Sequence, residues 1–335
     1  MPIVAVAAAT IIVAATIAGL HPTADHSREL SLRKEADRLW VDALKAEPLT
    51  GGAMFLSVPS PVHDIRGHVA VQDAPVLVRN GATTEHLQPR FWLSSLTRPA
   101  EDARVLAMST SPDGGKSVAI VTWKNGSASG RGIVVLRNVN GDLDATRIID
   151  VVAADVAAGP NGTIVAITRA SASEPWVITA FDEQGRKLGE GLRPDHVQKP
   201  YSVYSTLEWM NGDTYSYFDA AHDRVTVFSV RISNGSAAIV PVRMVDISAP
   251  PPRTTTSAYV LGAHVRPDNT VEVVRSIPGA EVPLTSVSMY ATGQPAKHWI
   301  IENGTRYCFW QDGAVHLLTN DDETGEPVLR SLKFQ

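Results

Sequence analysis

Met108-Ser-Thr-Ser-Pro-Asp-Gly-Gly-Lys-Ser-Val-Ala-Ile-Val-Thr122, followed from Gly132 by Gly-Ile-Val-Val-Leu-Arg-Asn-Val-Asn-Gly141, is the stretch that decides the fold. A hydroxyl-rich segment runs into Pro-Asp-Gly-Gly, an apolar β-branched run leaves it, and a second such run ends at Asn-Gly. Proline presets φ for a turn, the Asp side chain accepts N–H groups of its own turn, and glycine takes positive φ at no steric cost. The apolar runs are too short for helices and carry the residue types that strands favour. Ala158-Gly-Pro-Asn-Gly-Thr-Ile-Val-Ala-Ile-Thr168 and Val177-Ile-Thr-Ala-Phe-Asp-Glu-Gln-Gly185 repeat the same scheme.

Working outward, Ser117–Trp123, Gly132–Arg137, Thr163–Thr168, Trp176–Phe181, Arg224–Val230, Thr270–Arg275 and Val315–Thr319 all read as short strands between turn residues. Six polar turns recur: Gln72-Asp73-Ala74, Pro112-Asp113-Gly114, Pro160-Asn161-Gly162, Met210-Asn211-Gly212, Pro267-Asp268-Asn269 and Gln311-Asp312-Gly313. Their spacings of 40, 48, 50, 57 and 44 residues suit a four-stranded repeat and are too long for single hairpins. Each turn is expected to join the inner two strands of one blade. The whole is expected to be an all-β, six-bladed antiparallel β-propeller over 53–335.

The units at Met108–Gly141 and Ala158–Gly185 resemble the WD40-like repeat of TolB-type propellers. Those units read as an SPDG-type turn with a following Lys, an apolar strand, and a further strand ending at Asp or Asn before Gly. The other four units keep only the turn and the strand rhythm. The resemblance implies a fold and attaches no catalytic residues. The last unit shows strands near 304–310, 314–319 and 327–333, so a fourth must come from elsewhere. Ala53-Met-Phe-Leu-Ser-Val58 is the expected donor, because closure removes an open edge.

The first residues stand apart. Ile3–Leu20 is uncharged and apolar, long enough as a helix to span about 27 Å, close to a bilayer core. A membrane anchor or signal segment is therefore expected over 1–20. A small-x-small site exists at Thr16-Ile17-Ala18, but no basic residue precedes the run. Arg28, Arg33, Lys34, Arg38 and Lys45 follow it, a bias that by itself favours a cytoplasmic C-terminal side. Over 21–52 an amphipathic helical linker is expected, with Leu32, Ala36, Leu39, Trp40, Ala43 and Leu44 at helical steps and Pro48 and Gly51-Gly52 as its stop. Its stripe is expected to dock near 53–58.

Composition excludes several functions. Of 335 residues, 30 are basic and 35 acidic, so no cationic surplus exists to neutralise a phosphate backbone, and no nucleic-acid partner is expected. A single cysteine, Cys308, rules out an intramolecular disulfide and a cysteine-based zinc site. Gly126-Ser-Ala-Ser-Gly130 places Ala128 where a nucleophile elbow needs serine, and reads as a hairpin loop. No HExxH, Walker loop or dinucleotide fingerprint occurs.

His63-Asp64-Ile-Arg66-Gly-His68 carries metal-ligand types but reads better as a structural polar cluster. Asn138-Val-Asn140-Gly-Asp142-Leu-Asp144 and Asn320-Asp321-Asp322-Glu323-Thr-Gly-Glu326 have oxygen side chains suited to calcium, although solvated turns explain both. Asn125, Asn161, Asn234 and Asn303 begin Asn-Gly-Ser/Thr, which marks exposed turns more firmly than glycans. Trp92, Trp123, Trp176, Trp209, Trp299 and Trp310 read as packing between sheets. The expected first strands are mostly apolar or hydroxylic, as in Val105–Ser111 and Ala153–Ala158, where only Asp155 offers a carboxylate.

No catalytic, cofactor-binding or metal-binding residue is assigned, and no cofactor is expected, calcium being the one ion the loops would suit. The functional expectation is a membrane-tethered or exported, non-catalytic scaffold, its propeller outside the cytoplasm and its partner a protein or cell-envelope ligand. The other reading is a metal-dependent hydrolase or lactonase-like enzyme with its site in the central channel.

Overall fold

The computed structural model describes residues 28–31, 45–48, 54–63, 69–79, 83–86, 89–98, 100–139, 142–171, 173–194, 207–219, 223–247, 259–277, 284–301, 305–311, 313–320 and 327–334. Among these, almost all regular structure is antiparallel strand, arranged in six four-stranded sheets. The chain divides into two compact units, Met1–Leu87 with Pro250–Gln335, and Gln88–Ala249.

The first unit opens with β1 (Arg28–Ser31), then a sheet of β2 (Lys45–Pro48), β3 (Met54–His63), β4 (Val69–Arg79) and β5 (Thr83–His86) in sequence order. The unit of Gln88–Ala249 begins with the short helix α1 (Pro89–Ser95), which buries Trp92 and Leu93. Three consecutive meanders follow. They are β6 (Asp102–Thr110), β7 (Lys116–Asn125), β8 (Ala128–Val139) and β9 (Asp142–Ile149); β10 (Val152–Ala158), β11 (Ile164–Arg169), β12 (Val177–Phe181) and β13 (Lys187–Gly191); and β14 (Leu207–Asn211), β15 (Thr214–Asp219), β16 (Arg224–Ser233) and β17 (Ser236–Asp246). The chain then returns to the first unit with β18 (Tyr259–Val265), β19 (Val271–Ile277), β20 (Leu284–Tyr290) and β21 (Lys297–Ile301), and ends with β22 (Thr305–Gln311), β23 (Ala314–Asn320) and β24 (Pro327–Leu332).

The middle strands are buried on both faces, as their near-continuous apolar runs require. Val118–Val121 and Ile164–Ile167 are each at most 2% exposed. Between the sheets of the Gln88–Ala249 unit lie two cores. One joins Ile120, Ile133 and Val135 to Val156, Ile164 and Phe181; the other joins Ile167 and Ile178 to Tyr215 and Phe228.

All seven strands read from residue types lie within observed strands or overlap them closely, and five of the six turns join the first two strands of a sheet. Three expectations need correction. Gln72-Asp73-Ala74 is not a turn: it lies inside β4, with Asp73 opposite Pro59. The equivalent connection is 49–53, between β2 and β3, so Gly51-Gly52 stands where a helix stop was expected.

The linker helix does not form over Arg28–Ser31 or Lys45–Pro48, which are strands. Nor is 53–58 the closing strand of the last sheet, since Met54–His63 is paired between β2 and β5's neighbour β4. Arg28–Ser31 takes that place, with Arg28 opposite Ser331 and Leu30 opposite Leu329. Satisfying the backbone groups of β24's edge outweighs the local helical spacing, because an unpaired edge leaves a row of N–H and C=O groups without partners. Ile3–Leu20 and the stripe residues Leu32, Ala36, Leu39, Trp40, Ala43 and Leu44 lie outside the described residues. Among the described residues no helix is long and apolar enough to cross a membrane.

Candidate functional site

The first strands of the sheets in the Gln88–Ala249 unit lie side by side, β10 packing against β6 and β14. Their polar groups join one strand to the next. Ser109 Oγ on β6 accepts the Ala158 N–H of β10 at 3.1 Å. Asp155, 5% exposed, accepts the Val156 N–H at 2.8 Å through Oδ1 and the Leu207 N–H of β14 at 2.9 Å through Oδ2. A bulge between Ala153 and Asp155 disturbs the alternation of β10 beside the carboxylate. This carboxylate thus holds two meanders together, while Asp102 on β6 and Glu208 on β14 are the other acids of these three strands. A buried charge accepting two amide hydrogens is well compensated, and its removal would orphan both donors.

The turn chemistry is similarly committed to structure. Ser111 Oγ donates to Asp113 Oδ1 at 2.5 Å, and Asp113 Oδ1 also accepts the Gly115 N–H at 3.1 Å. These bonds, the Ser111 hydroxyl first, hold the Asp113 carboxyl below the usual carboxylate range. Lys116 reaches the next meander and pairs with Glu183, whose carboxyl is lowered chiefly by that contact. Gly159 permits a close approach, since a Cβ there would sit 1.9 Å from Tyr215 Oη. Tyr215 stacks on Phe228 with ring centroids 5.8 Å apart, and burial pushes its phenol above the ordinary range.

A concavity lies among the described residues of this unit. A groove of about 640 Å³ runs between the end of β9 and the strands β11–β13. Thr168 and Thr179 share a hydroxyl hydrogen bond of 2.7 Å and both line it. Its charged lining alternates in sign: Arg169, Lys187 and Arg193 against Asp150, Glu174 and Glu190. The Arg169 guanidinium lies 4.4 Å over the Trp176 ring, and Lys187 pairs with Glu190 at 2.5 Å. The threonine hydroxyls and the paired charges equip the groove for hydrogen bonding.

The other sequence candidates are dispersed. His63 ends β3, and 64–68 lie outside the described residues. Asn138 belongs to β8 and donates Nδ2 to the Gly114 carbonyl at 2.7 Å, while Asp144 faces Arg137 at 3.8 Å. The first oxygen-rich stretch is therefore partly used in strand and turn bonds, with 140–141 outside the described residues, as are 321–326 of the second. Among the described residues no group of three His, Cys, Asp or Glu side chains is placed to hold a metal ion. Trp310 Nε1 donates to Glu272 Oε2 at 2.8 Å, and Arg266 pairs with Glu272 Oε1 at 3.2 Å. Glu272 was not singled out from the sequence, although a lone acid in Val271-Glu-Val-Val274 was the available signal.

No family model matches the sequence, and no curated protein does. Among solved structures the chain is similar to TolB from Acinetobacter baumannii at 8% identity and a TM-score of 0.42, over 78% of this chain and 60% of that one. It is also similar to an acylaminoacyl peptidase from Pyrococcus horikoshii, at 9% identity and 0.46, over 87% and 52%. The propeller domain of the trilobed protease from Pyrococcus furiosus gives 10% and 0.43, over 86% and 92%. The chain thus spans about 60% of the TolB chain and about half of the peptidase. By its own residues the chain is all-β, built of four-stranded antiparallel meanders.

Proposed function

We propose that the six sheets close into one six-bladed propeller that serves as a non-catalytic binding scaffold of the cell envelope, tethered or exported through 1–20. The observation that carries this reading is Asp155. The buried carboxylate of β10 is committed to structure, accepting the Val156 and Leu207 amides. A rigid set of meanders with an open polar groove suits holding a protein or envelope ligand. Metal analysis of the purified protein, together with a pull-down from membranes, tests the choice. A specific partner without stoichiometric metal is the expected result. A stoichiometric metal abolished by substitutions on the first strands would favour the metal-dependent hydrolase instead. Protease shaving of intact cells tests the placement, and a propeller protected until lysis would reverse it.

A further inference from the structure

The repeat turns carry a chemical liability that the fold distributes unequally. Four Asn-Gly pairs lie among the described residues: Asn125-Gly126, Asn161-Gly162, Asn211-Gly212 and Asn234-Gly235. Asn125, Asn211 and Asn234 are exposed, and Gly126, Gly212 and Gly235 each have nothing within 4 Å of where a Cβ would stand. Asn161 is exposed as well, but its glycine is enclosed: a Cβ at Gly162 would meet Glu183 Oε2 at 2.9 Å and Lys116 Nζ at 3.2 Å. Lys116 and Glu183 are themselves paired across this turn.

We propose that Asn125, Asn211 and Asn234 are sites of spontaneous deamidation, and that the Lys116–Glu183 pair protects Asn161. In the reaction the backbone nitrogen of the following glycine gives up its proton to solvent and attacks Asn Cγ. A C–N bond forms, Nδ2 leaves as ammonia, and a cyclic imide remains. Water then opens either carbonyl, giving aspartate or isoaspartate with one added negative charge. The attack requires the Asn-Gly peptide to swing out of its turn geometry. The space beside Gly126, Gly212 and Gly235 is open to that swing, with one exposed bond from Trp209 Nε1 to the Gly212 carbonyl at 3.1 Å, whereas Gly162 cannot turn without displacing the ion pair. The isoaspartate form lengthens the main chain by one methylene, which a two-residue turn such as Asn234-Gly235, between paired Ser233 and Ser236, cannot absorb without losing that pairing.

The test is peptide mapping of the full chain after incubation at mildly alkaline pH, with Asp and isoAsp products separated at each site. Asn125, Asn211 and Asn234 are expected to convert, and Asn161 roughly fivefold more slowly, as the strength of an exposed ion pair allows. Glu183→Gln keeps the side chain's shape and removes the pair, and should raise the Asn161 rate toward the other three. Conversion of Asn161 as fast as Asn234 in the unmodified chain, a Glu183→Gln variant with no effect on Asn161, or intact Asn125, Asn211 and Asn234 would each overturn the proposal.

Discussion

The three sheets of Gln88–Ala249 are each built from four strands consecutive in sequence, whereas the sheet of β22–β24 takes its fourth strand from Arg28–Ser31, at the other end of the chain. The first kind needs only local turns, and each hairpin closes a short loop. The second must bring distant segments together, and nothing near β24 encodes its partner. The two units also place buried carboxylates differently. Asp155 accepts main-chain amides and ties neighbouring strands directly, while Glu272 accepts from the side chains of Trp310 and Arg266. Backbone donors cannot move aside when their acceptor is lost, but a partly exposed arginine can turn to water. The contiguous unit should therefore suffer more from the loss of its carboxylate.

The largest expected effect is at Asp155. Asp155→Ala strands the Val156 and Leu207 amides, costing about 3 kcal/mol and lowering Tm by about 4 °C in a thermal melt. A change of only a degree or two would break the contrast between the carboxylates. Gly159→Ala comes next. Its methyl would collide with Tyr215 Oη, whose buried ring stacks on Phe228, so about 2 kcal/mol is expected from denaturant titration. Glu272→Ala should cost less than Asp155→Ala, about 1.5 kcal/mol, because Arg266 keeps access to solvent. Measuring both variants side by side sharpens the comparison most.

The smallest effect is a pH dependence of the first unit. Burial, and then the Arg275 charge, lowers the His298 imidazole below its ordinary value, and its Nδ1 lies 2.9 Å from Ser288 Oγ. The folded state thus holds the neutral ring while the unfolded chain binds a proton more readily. Stability contributed here is present above the ordinary histidine value of about 6.5 and falls as pH drops through it toward the lowered folded value. His298→Gln should flatten the Tm profile between about pH 7.5 and 5.5. An unchanged slope would remove His298 from the explanation.

The central strands and five turns were legible because each rests on local chemistry: β-branched runs for buried strands, and Asx with Gly for tight turns. Where the local signals competed, the reading failed. The helical spacing of Leu32, Ala36, Leu39 and Ala43 suggests a helix from about Ser27 to Glu47, but Arg28–Ser31 and Lys45–Pro48 are paired strands. Gln72-Asp73-Ala74 looks like a turn only until Asp73 is seen in a long ladder opposite Pro59. Arg28–Ser31 is short and charged, as edge strands commonly are, and such a segment carries almost no strand signature. Of the candidate site, Asp155 was visible as a lone acid, yet its role depends on a bulge and on a strand some fifty residues away. The groove was invisible, because its lining comes from several strands and no short motif contains it.

The most direct test concerns the strand that closes the last sheet. In a background where Cys308 is replaced by Ala, paired cysteines at Leu30→Cys and Leu329→Cys occupy opposed positions of β1 and β24, and paired cysteines at Leu56→Cys and Leu329→Cys probe the segment that the sequence favoured. A disulfide requires Cα atoms within about 7 Å, so only truly adjacent strands can form one without distortion. Under mild oxidation the 30–329 pair is expected to give an intramolecular crosslink, and the 56–329 pair none. A 56–329 crosslink, with 30 and 329 remaining free thiols, would contradict closure of the last sheet by Arg28–Ser31.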